Sequence, residues 1–234
     1  MRKTLSAFFI VFFWFFSLAF SRSVFRVKVI RVIDGDTVVL SNGIHLRYAG
    51  INALELHTPD GIPQPFAIEA TKLNQKLTLG KTFLLKLVPT KKDRYGRWVG
   101  ELYFPNGTSV SEELIKSGYV LVCYYRDSKF LFKKYLPLQR EVLKKGKGIF
   151  ALAKFIDVLR KGVYYVGNKR SKRFHFMSCP EARKIKRKVI FNSITEALYQ
   201  GYCPARGCFD MIFPRKYIKL FFRSYNLKTS GVSP

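Results

Sequence analysis

Residues 24–51 constrain the fold most. Apolar Val27, Val29 and Val32 alternate with basic Arg26, Lys28 and Arg31, the period-two pattern of a strand with one buried face. Asp34-Gly35-Asp36 breaks the pattern and residues 37–40 resume an extended run. Ser41-Asn42-Gly43 follows as a hairpin turn, with Asn-Gly supplying positive φ. Residues 44–51 read as a third strand, so this segment is a β-meander.

Helical spacing enters at residues 65–79, where Phe66, Ala70, Leu73 and Leu77 share a face and Gly80 stands at the C′ position. Residues 82–88 and 97–104 alternate as strands, the second ending in the turn Pro105-Asn106-Gly107. Ser111 is the expected cap of a short helix with Glu112 and Glu113 in its first turn and Gly118 after its end. Residues 119–125 read as a strand. Residues 129–145 read as a helix that Pro137 should kink or split. Short strands with few helices predict a small barrel with helices packed outside it. A linker is expected over residues 151–162, then a second unit over 163–213 of different composition. Residues 214–234 read as a basic, aromatic tail, poorly ordered at least at its end.

The first residues, Met1-Arg2-Lys3 followed by an apolar run over 5–20 and then Ala19-Phe20-Ser21, have the pattern of a secretory signal. The run is long for a signal core and short for a membrane span of ~20 residues. Residues 1–21 are therefore expected to be cleaved or to tether the chain outside the cytoplasm. Lys and Arg number 42 against 15 Asp and Glu, a net charge of +27. Such an excess repels itself unless a polyanion is the working partner, and nucleic acid and anionic membrane both qualify. Charge sets the partner class and says nothing of chemistry. With 48% hydrophobic and 16% aromatic residues, global disorder is excluded.

Four patches are informative together: Asp34-Gly35-Asp36-Thr37, Arg47, Asn52-Ala53-Leu54-Glu55, and Asp93-Arg94-Tyr95-Gly96-Arg97. As a set, continuing through residues 109–118 and on to Gly148-Ile149-Phe150, they resemble the thermonuclease (staphylococcal nuclease) family over about residues 24–152. The resemblance implies an α+β fold, an OB-like five-stranded β-barrel with three packed helices, and Ca²⁺-aided cleavage of phosphodiester bonds. It further implies Asp36, Asn52 and the Ala53 carbonyl as calcium ligands and Glu55 as general base. Arg47 and Arg97 would grip the scissile phosphate, with Tyr95 and Tyr124 beside the nucleotide. The chemistry suits these residue types. Two guanidiniums donate paired hydrogen bonds to oxygens that gain charge, a carboxylate takes the proton of water, and Ca²⁺ accepts mixed oxygen ligands. A shallow barrel face suits DNA or RNA that is single-stranded or flexible. Asn52 departs from the family's usual second carboxylate and brings no charge, which weakens metal binding. A non-catalytic, basic nucleic-acid-binding protein at the cell surface is the alternative.

In the second unit, His175 and Cys179 lie four apart, and Cys203-Pro204-Ala205-Arg206-Gly207-Cys208 follows. This unit, small and α+β, resembles the zinc-binding module of Ada-type methyl-DNA repair proteins, whose usual ending is Pro-Cys-x-x-Cys. The resemblance implies Zn²⁺ on His175, Cys179, Cys203 and Cys208, with Cys203 displaced to the other side of the proline. A disulfide between two of these cysteines, or neither arrangement, stays open. Cys123, in an apolar run, reads as a core residue.

Overall fold

A computed structural model describes residues 24–229, with side chains through Ser224. The apolar run of residues 5–20 and the last five residues lie outside the described residues. Among the described residues no helix is long and apolar enough to cross a membrane.

The N-terminal part runs β1 (Val24–Asp34), β2 (Thr37–Leu40), β3 (His45–Tyr48), β4 (Ile51–Ala53), α1 (Ala67–Thr78), β5 (Thr82–Lys92), β6 (Trp98–Tyr103), α2 (Val110–Ser117), β7 (Val120–Val122), α3 (Lys129–Lys145) and α4 (Ile149–Leu159). Five of the strands close a barrel in the order β1-β2-β3-β6-β5, with β3 and β6 parallel and the other described pairings antiparallel. The meander thus supplies three staves. Inward-facing Val29, Val38, Leu40, Leu46, Leu85 and Leu102 fill the barrel, as the alternation of a half-buried strand requires. The stretch read as one third strand is two. Gly50 takes φ +78, a conformation glycine adopts without steric cost, and the turn sends β4 off to pair with β7 outside the barrel.

Three further expectations give way. The cap of α2 is Ser109, not Ser111: its hydroxyl accepts from the Glu112 N–H at 3.1 Å while the Glu112 carboxylate accepts from the Ser109 N–H at 2.9 Å, a reciprocal box. Ser111 lies inside the helix and donates to buried Glu101 at 2.8 Å. Pro137 does not split α3, which runs unbroken from Lys129 to Lys145. It lies on the solvent face beside exposed Lys133, the position at which a helix tolerates the missing N–H with least cost, since solvent is at hand. The stretch read as a linker is mostly α4, with Ile149, Phe150, Leu152, Ala153 and Ile156 buried at helical spacing.

The C-terminal part runs β8 (Tyr165–Asn168), β9 (Arg173–Phe176), α5 (Pro180–Arg183), β10 (Lys188–Phe191), α6 (Ile194–Tyr199), β11 (Cys203–Pro204), a 3₁₀ turn (Arg206–Cys208), α7 (Phe209–Ile212) and α8 (Arg215–Thr229). Its four-stranded sheet has the order β10-β8-β9-β11. Residues 215–229, read as tail, are helical, because Phe221 and Phe222 pack on Phe66 at 6.4 and 5.3 Å between ring centroids. One apolar cluster holds Leu54, Phe66, Leu121 and Cys123 from the N-terminal part together with Tyr165, Phe174, Leu198 and Phe213 from the C-terminal part. Fully buried Gln139 bridges the two. Its Oε1 accepts from the Val122 N–H at 2.7 Å, and its Nε2 donates to the Leu198 carbonyl at 2.8 Å.

Candidate active site

A cleft of about 600 Å³ opens between the barrel and the C-terminal part, within the range of small-ligand and substrate sites. Arg47, Asn52, Glu55, Tyr95 and Arg97 line it from the barrel side. Asp36 lies just beneath them, in contact with Arg47 and Ala53.

The turn between β1 and β2 sets the acidic floor. Asp34 Oδ1 accepts from the Asp36 N–H at 2.9 Å, which folds the two carboxylates toward each other across Gly35. A Cβ on Gly35 would stand 2.6 Å from the Ala70 Cβ and 2.7 Å from the Ala53 Cβ, so only glycine lets the turn lie this close to α1 and β4. Asp36 is buried, accepts from the Ala53 N–H at 2.8 Å and from the Thr37 hydroxyl at 2.9 Å, and pairs with Arg47 at 3.4 Å. Burial, and after it the Asp36 carboxylate, pushes the Asp34 carboxyl up to about 6. Two mutually repelling carboxylates beside a backbone carbonyl and an amide form an all-oxygen donor set that a hard cation relieves. The residues present therefore fit Ca²⁺.

Arg47, on β3, is held at many points. It donates to the carbonyls of Tyr48 (2.9 Å) and Ile51 (3.1 Å), to Asn52 Oδ1 (2.9 Å) and to the Tyr125 hydroxyl (3.4 Å). Asn52 in turn donates from Nδ2 to the Ala53 carbonyl at 2.8 Å. The amide orientation follows from Arg47, since a flipped amide would set donor against donor. Arg97 is steered by Asp93, whose Oδ2 accepts from Nε at 2.9 Å and pairs with Nη2 at 2.8 Å. Burial opposes ionisation of Asp93, but Arg97 and two backbone N–H groups outweigh it and hold that carboxyl below its ordinary range. Arg97 Nη1 is left facing the Thr37 hydroxyl at 3.5 Å. Tyr95 is 62% exposed, with Arg94 and Arg97 at 4.8 and 5.5 Å from its ring. Glu55 sits in the loop after β4, anchored through reciprocal hydrogen bonds to Gln64 at 2.9 Å each. Its carboxylate pairs with Arg206 at 2.8 Å.

The structure brings Arg47, Asn52, Glu55, Tyr95 and Arg97 to one cleft with Asp36 and Ala53 at its floor. Tyr124 goes elsewhere: its ring meets Phe132 of α3 edge-on at 5.4 Å. Tyr125 faces the cleft in its place, because β7 ends at Val122 and strand alternation does not extend to these residues. Sequence reasoning also missed Asp93 as the partner of Arg97, for which the i,i+4 spacing across a glycine turn was the available signal. It missed Arg206 of the C-terminal part, for which no sequence signal existed; Arg173 belongs to the basic run Lys169, Arg170, Lys172 and Arg173, whose charge density is itself a signal for nucleic-acid contact.

The four-ligand zinc expectation is corrected. Cys203 bonds to Cys123, 80 residues away, and Cys179 bonds to Cys208; a cysteine in a disulfide has no thiolate to give a metal. His175 remains beside the second disulfide, its Nδ1 3.3 Å from the Cys208 sulfur. Burial holds its imidazole below the ordinary pKa, with Glu181 opposing. Cys123 is buried, as a core residue should be, and carries a covalent link besides.

The family described as staphylococcal nuclease homologue matches residues 45–151. The thermonuclease of Staphylococcus hyicus is 30% identical over 132 residues, 53% of this chain and 75% of that protein. Endonuclease YncB of Bacillus subtilis (strain 168) is 32% identical over 126 residues, 52% of this chain and 59% of its own. Endonuclease YhcR of the same organism is 27% identical over 194 residues, 74% of this chain but 16% of its own. The chain thus spans three quarters of the first of these relatives and less than two thirds of the other two. With the closed mixed barrel, its packed helices and this match, the chain belongs to the staphylococcal nuclease homologue family, nucleases that hydrolyse phosphodiester bonds.

Proposed function

We propose that this chain hydrolyses phosphodiester bonds of DNA or RNA outside the cytoplasm, with Ca²⁺ as cofactor. One observation carries the reading. Arg47 and Glu55, from β3 and the loop after β4, line a single cleft with Arg97 from the turn before β6, over buried Asp36 and half-buried Asp34.

Asp36, Asn52 and the Ala53 carbonyl, with Asp34 beside them, would hold the cation, which when bound supplies a Lewis acid at a phosphoryl oxygen and a site to orient water. The chain's own residues do the rest. Glu55 takes the proton as water attacks phosphorus in line with the ester bond that breaks, and solvent protonates the departing alkoxide. Arg47 and Arg97 donate to the phosphoryl oxygens as their charge grows; lysine lacks the planar fork for this. Exposed Tyr95 offers a face on which an unpaired base stacks, which favours single-stranded or flexible substrate. Two disulfides support an oxidising compartment, and the basic-then-apolar N-terminal run supports export or tethering to a membrane.

A specific observation favours a second reading, a non-catalytic nucleic-acid binder: Glu55 is engaged by Arg206 and the Asn52 oxygen by Arg47. The deciding experiment is cleavage of heat-denatured DNA by the purified, disulfide-bonded protein across a calcium titration, with chelator and Glu55→Gln as controls. Calcium-dependent cleavage that the substitution removes supports the nuclease. Tight binding with no cleavage at any calcium level supports the binder.

A further inference from the structure

The far wall of the cleft belongs to the C-terminal part. β11 pairs in parallel with β9, setting Cys203 beside Arg173. The Cys123–Cys203 disulfide fixes that register against the chain just before Tyr124 and Tyr125. Arg173 then donates to the Tyr124 carbonyl at 3.4 Å and lies 5.0 Å from the centre of the Tyr125 ring, which Arg47 approaches at 5.8 Å. One tyrosine ring is thus approached by a guanidinium of each part. Arg206, two residues past β11, reaches over to Glu55 at 2.8 Å while remaining 70% exposed. Among the described residues no carboxylate pairs with Arg173, and the partner of Arg206 is the group the reaction needs free.

We propose that Arg173 and Arg206 form a second phosphate subsite, which takes the backbone phosphate next to the scissile one and so selects polynucleotides over dinucleotides. This rests on the reading of the cleft as a nuclease site. An extended polynucleotide carries a charged phosphate at every step, so a strand whose scissile phosphate lies between Arg47 and Arg97 must run its next phosphate along one wall of the cleft. The C-terminal wall offers two such guanidiniums, Arg173 with no carboxylate partner among the described residues and Arg206 with an exposed, exchangeable one, whereas Arg94 on the barrel side lies against its neighbour Tyr95. Guanidinium binds phosphate through paired, charge-assisted hydrogen bonds. Arg206 then exchanges the Glu55 carboxylate for the phosphate, and Glu55 is released toward water. A dinucleoside monophosphate has no flanking phosphate and leaves the Arg206–Glu55 pair in place.

The test compares the disulfide-bonded protein with its Arg173→Ala and Arg206→Ala variants on two substrates, octathymidylate and thymidylyl-thymidine. Each substitution is expected to raise KM for the octamer about tenfold and to leave KM for the dinucleotide unchanged. In parallel, octathymidylate binding is followed by fluorescence anisotropy in the Glu55→Gln background. There each substitution is expected to weaken affinity about tenfold and to lower the slope of log K against log salt by about 0.7, one phosphate contact on a single strand. Equal effects on both substrate lengths, or binding and salt slope unchanged, overturn the subsite. If the unsubstituted protein cleaves neither substrate while the binding losses appear, the subsite stands and the nuclease reading falls. If it cleaves both and the variants bind as before, the reverse holds. Circular dichroism of each variant, with Arg173→Lys as the conservative control, separates lost folding from lost contact.

Discussion

The two walls of the cleft are built on different principles. On the barrel wall the cationic groups and the acidic floor are held at several points: Arg47 by two carbonyls, an amide and a carboxylate, Arg97 by two guanidinium nitrogens on one Asp93 oxygen, Asp36 by a backbone N–H and a hydroxyl. The opposite wall presents Arg206 through one exposed ion pair and Arg173 through two long hydrogen bonds to carbonyls and a ring contact. Groups that meet developing charge gain from being fixed beforehand, since no reorganisation is then needed during the reaction. Groups that only guide a strand gain from being exchangeable, since exposed pairs are worth little and yield readily. The difference assigns chemistry to the barrel wall and substrate guidance to its partner.

The largest expected effect tests that division directly. Arg97→Ala and, separately, Glu55→Gln should lower kcat by roughly 10²–10⁴, the range for removing a general base or a charge-stabilising donor. Binding of single-stranded DNA should change only a few-fold. Single-turnover cleavage paired with anisotropy reads both quantities, and unchanged turnover in either variant removes that residue from the chemistry.

Next in size is the link between the walls. The Cys123–Cys203 bond closes an 80-residue separation, so the chain-entropy account assigns it about 4 kcal/mol. The double substitution to serine should lower the denaturation midpoint accordingly in urea or heat. The shared cluster and the Gln139 bridge remain, so the protein should stay folded. Its octamer KM should rise while dinucleotide turnover holds. Loss of both activities together would mean that the barrel wall is not self-supporting.

The barrel wall has its own internal check in Glu101, which ties α2 and α3 to the staves. Its carboxylate accepts from Ser111 at 2.8 Å and from Tyr135 at 2.6 Å, and burial, against those hydrogen bonds, raises its pKa to about 7. A carboxyl raised on folding favours the protonated form. Its contribution is therefore fully present below the unfolded value near 4.5 and is lost as pH climbs to about 7. The loss amounts to at most about 3 kcal/mol. Glu101→Gln keeps a neutral, hydrogen-bonding isostere and should flatten urea stability between pH 5 and 7. A wild-type-like slope in that variant would place the pH dependence elsewhere.

How far this was legible in the sequence follows the same divide. The barrel wall is built from local motifs: period-two alternation over residues 24–33, the Asp34-Gly35-Asp36 turn and the Asp93-to-Arg97 turn each declare their geometry within a few residues. Where local signals competed, reading slipped by a step. Ser109 and Ser111 both suit a cap, and the capping box through Glu112 decides for the former. Tyr124 is the residue expected beside the nucleotide, and the irregular chain after Val122 turns its neighbour Tyr125 to the cleft instead. The C-terminal wall is built by long-range pairing, which spacing does not encode. Cys203 sits near Cys208 in sequence yet bonds Cys123, and nothing around Arg206 announces Glu55, 151 positions earlier.

The smallest expected effect concerns Asn52, where the barrel wall departs from the family pattern in ligand charge. Asn52 offers Oδ1 to Arg47 and covers the Ala53 carbonyl with Nδ2–H, so the amide engages the oxygens proposed above as cation ligands. Asn52→Asp keeps the acceptor for Arg47 but turns the second atom from donor to acceptor, facing it with the Ala53 oxygen. It also sets a third carboxylate beside Asp34 and Asp36. Without calcium that cluster should destabilise the fold by about 1 kcal/mol. With calcium, the added ligand charge should tighten binding and lower the concentration for half-maximal cleavage roughly tenfold, about 1.4 kcal/mol of binding free energy. A thermal shift titrated with CaCl₂ reads the two signs in one experiment, since binding to the folded state alone raises the midpoint. If neither the calcium requirement nor the calcium-dependent shift moves, Asn52 is a clamp for Arg47 and not a ligand, and the cation, if bound, rests on Asp34, Asp36 and the Ala53 carbonyl.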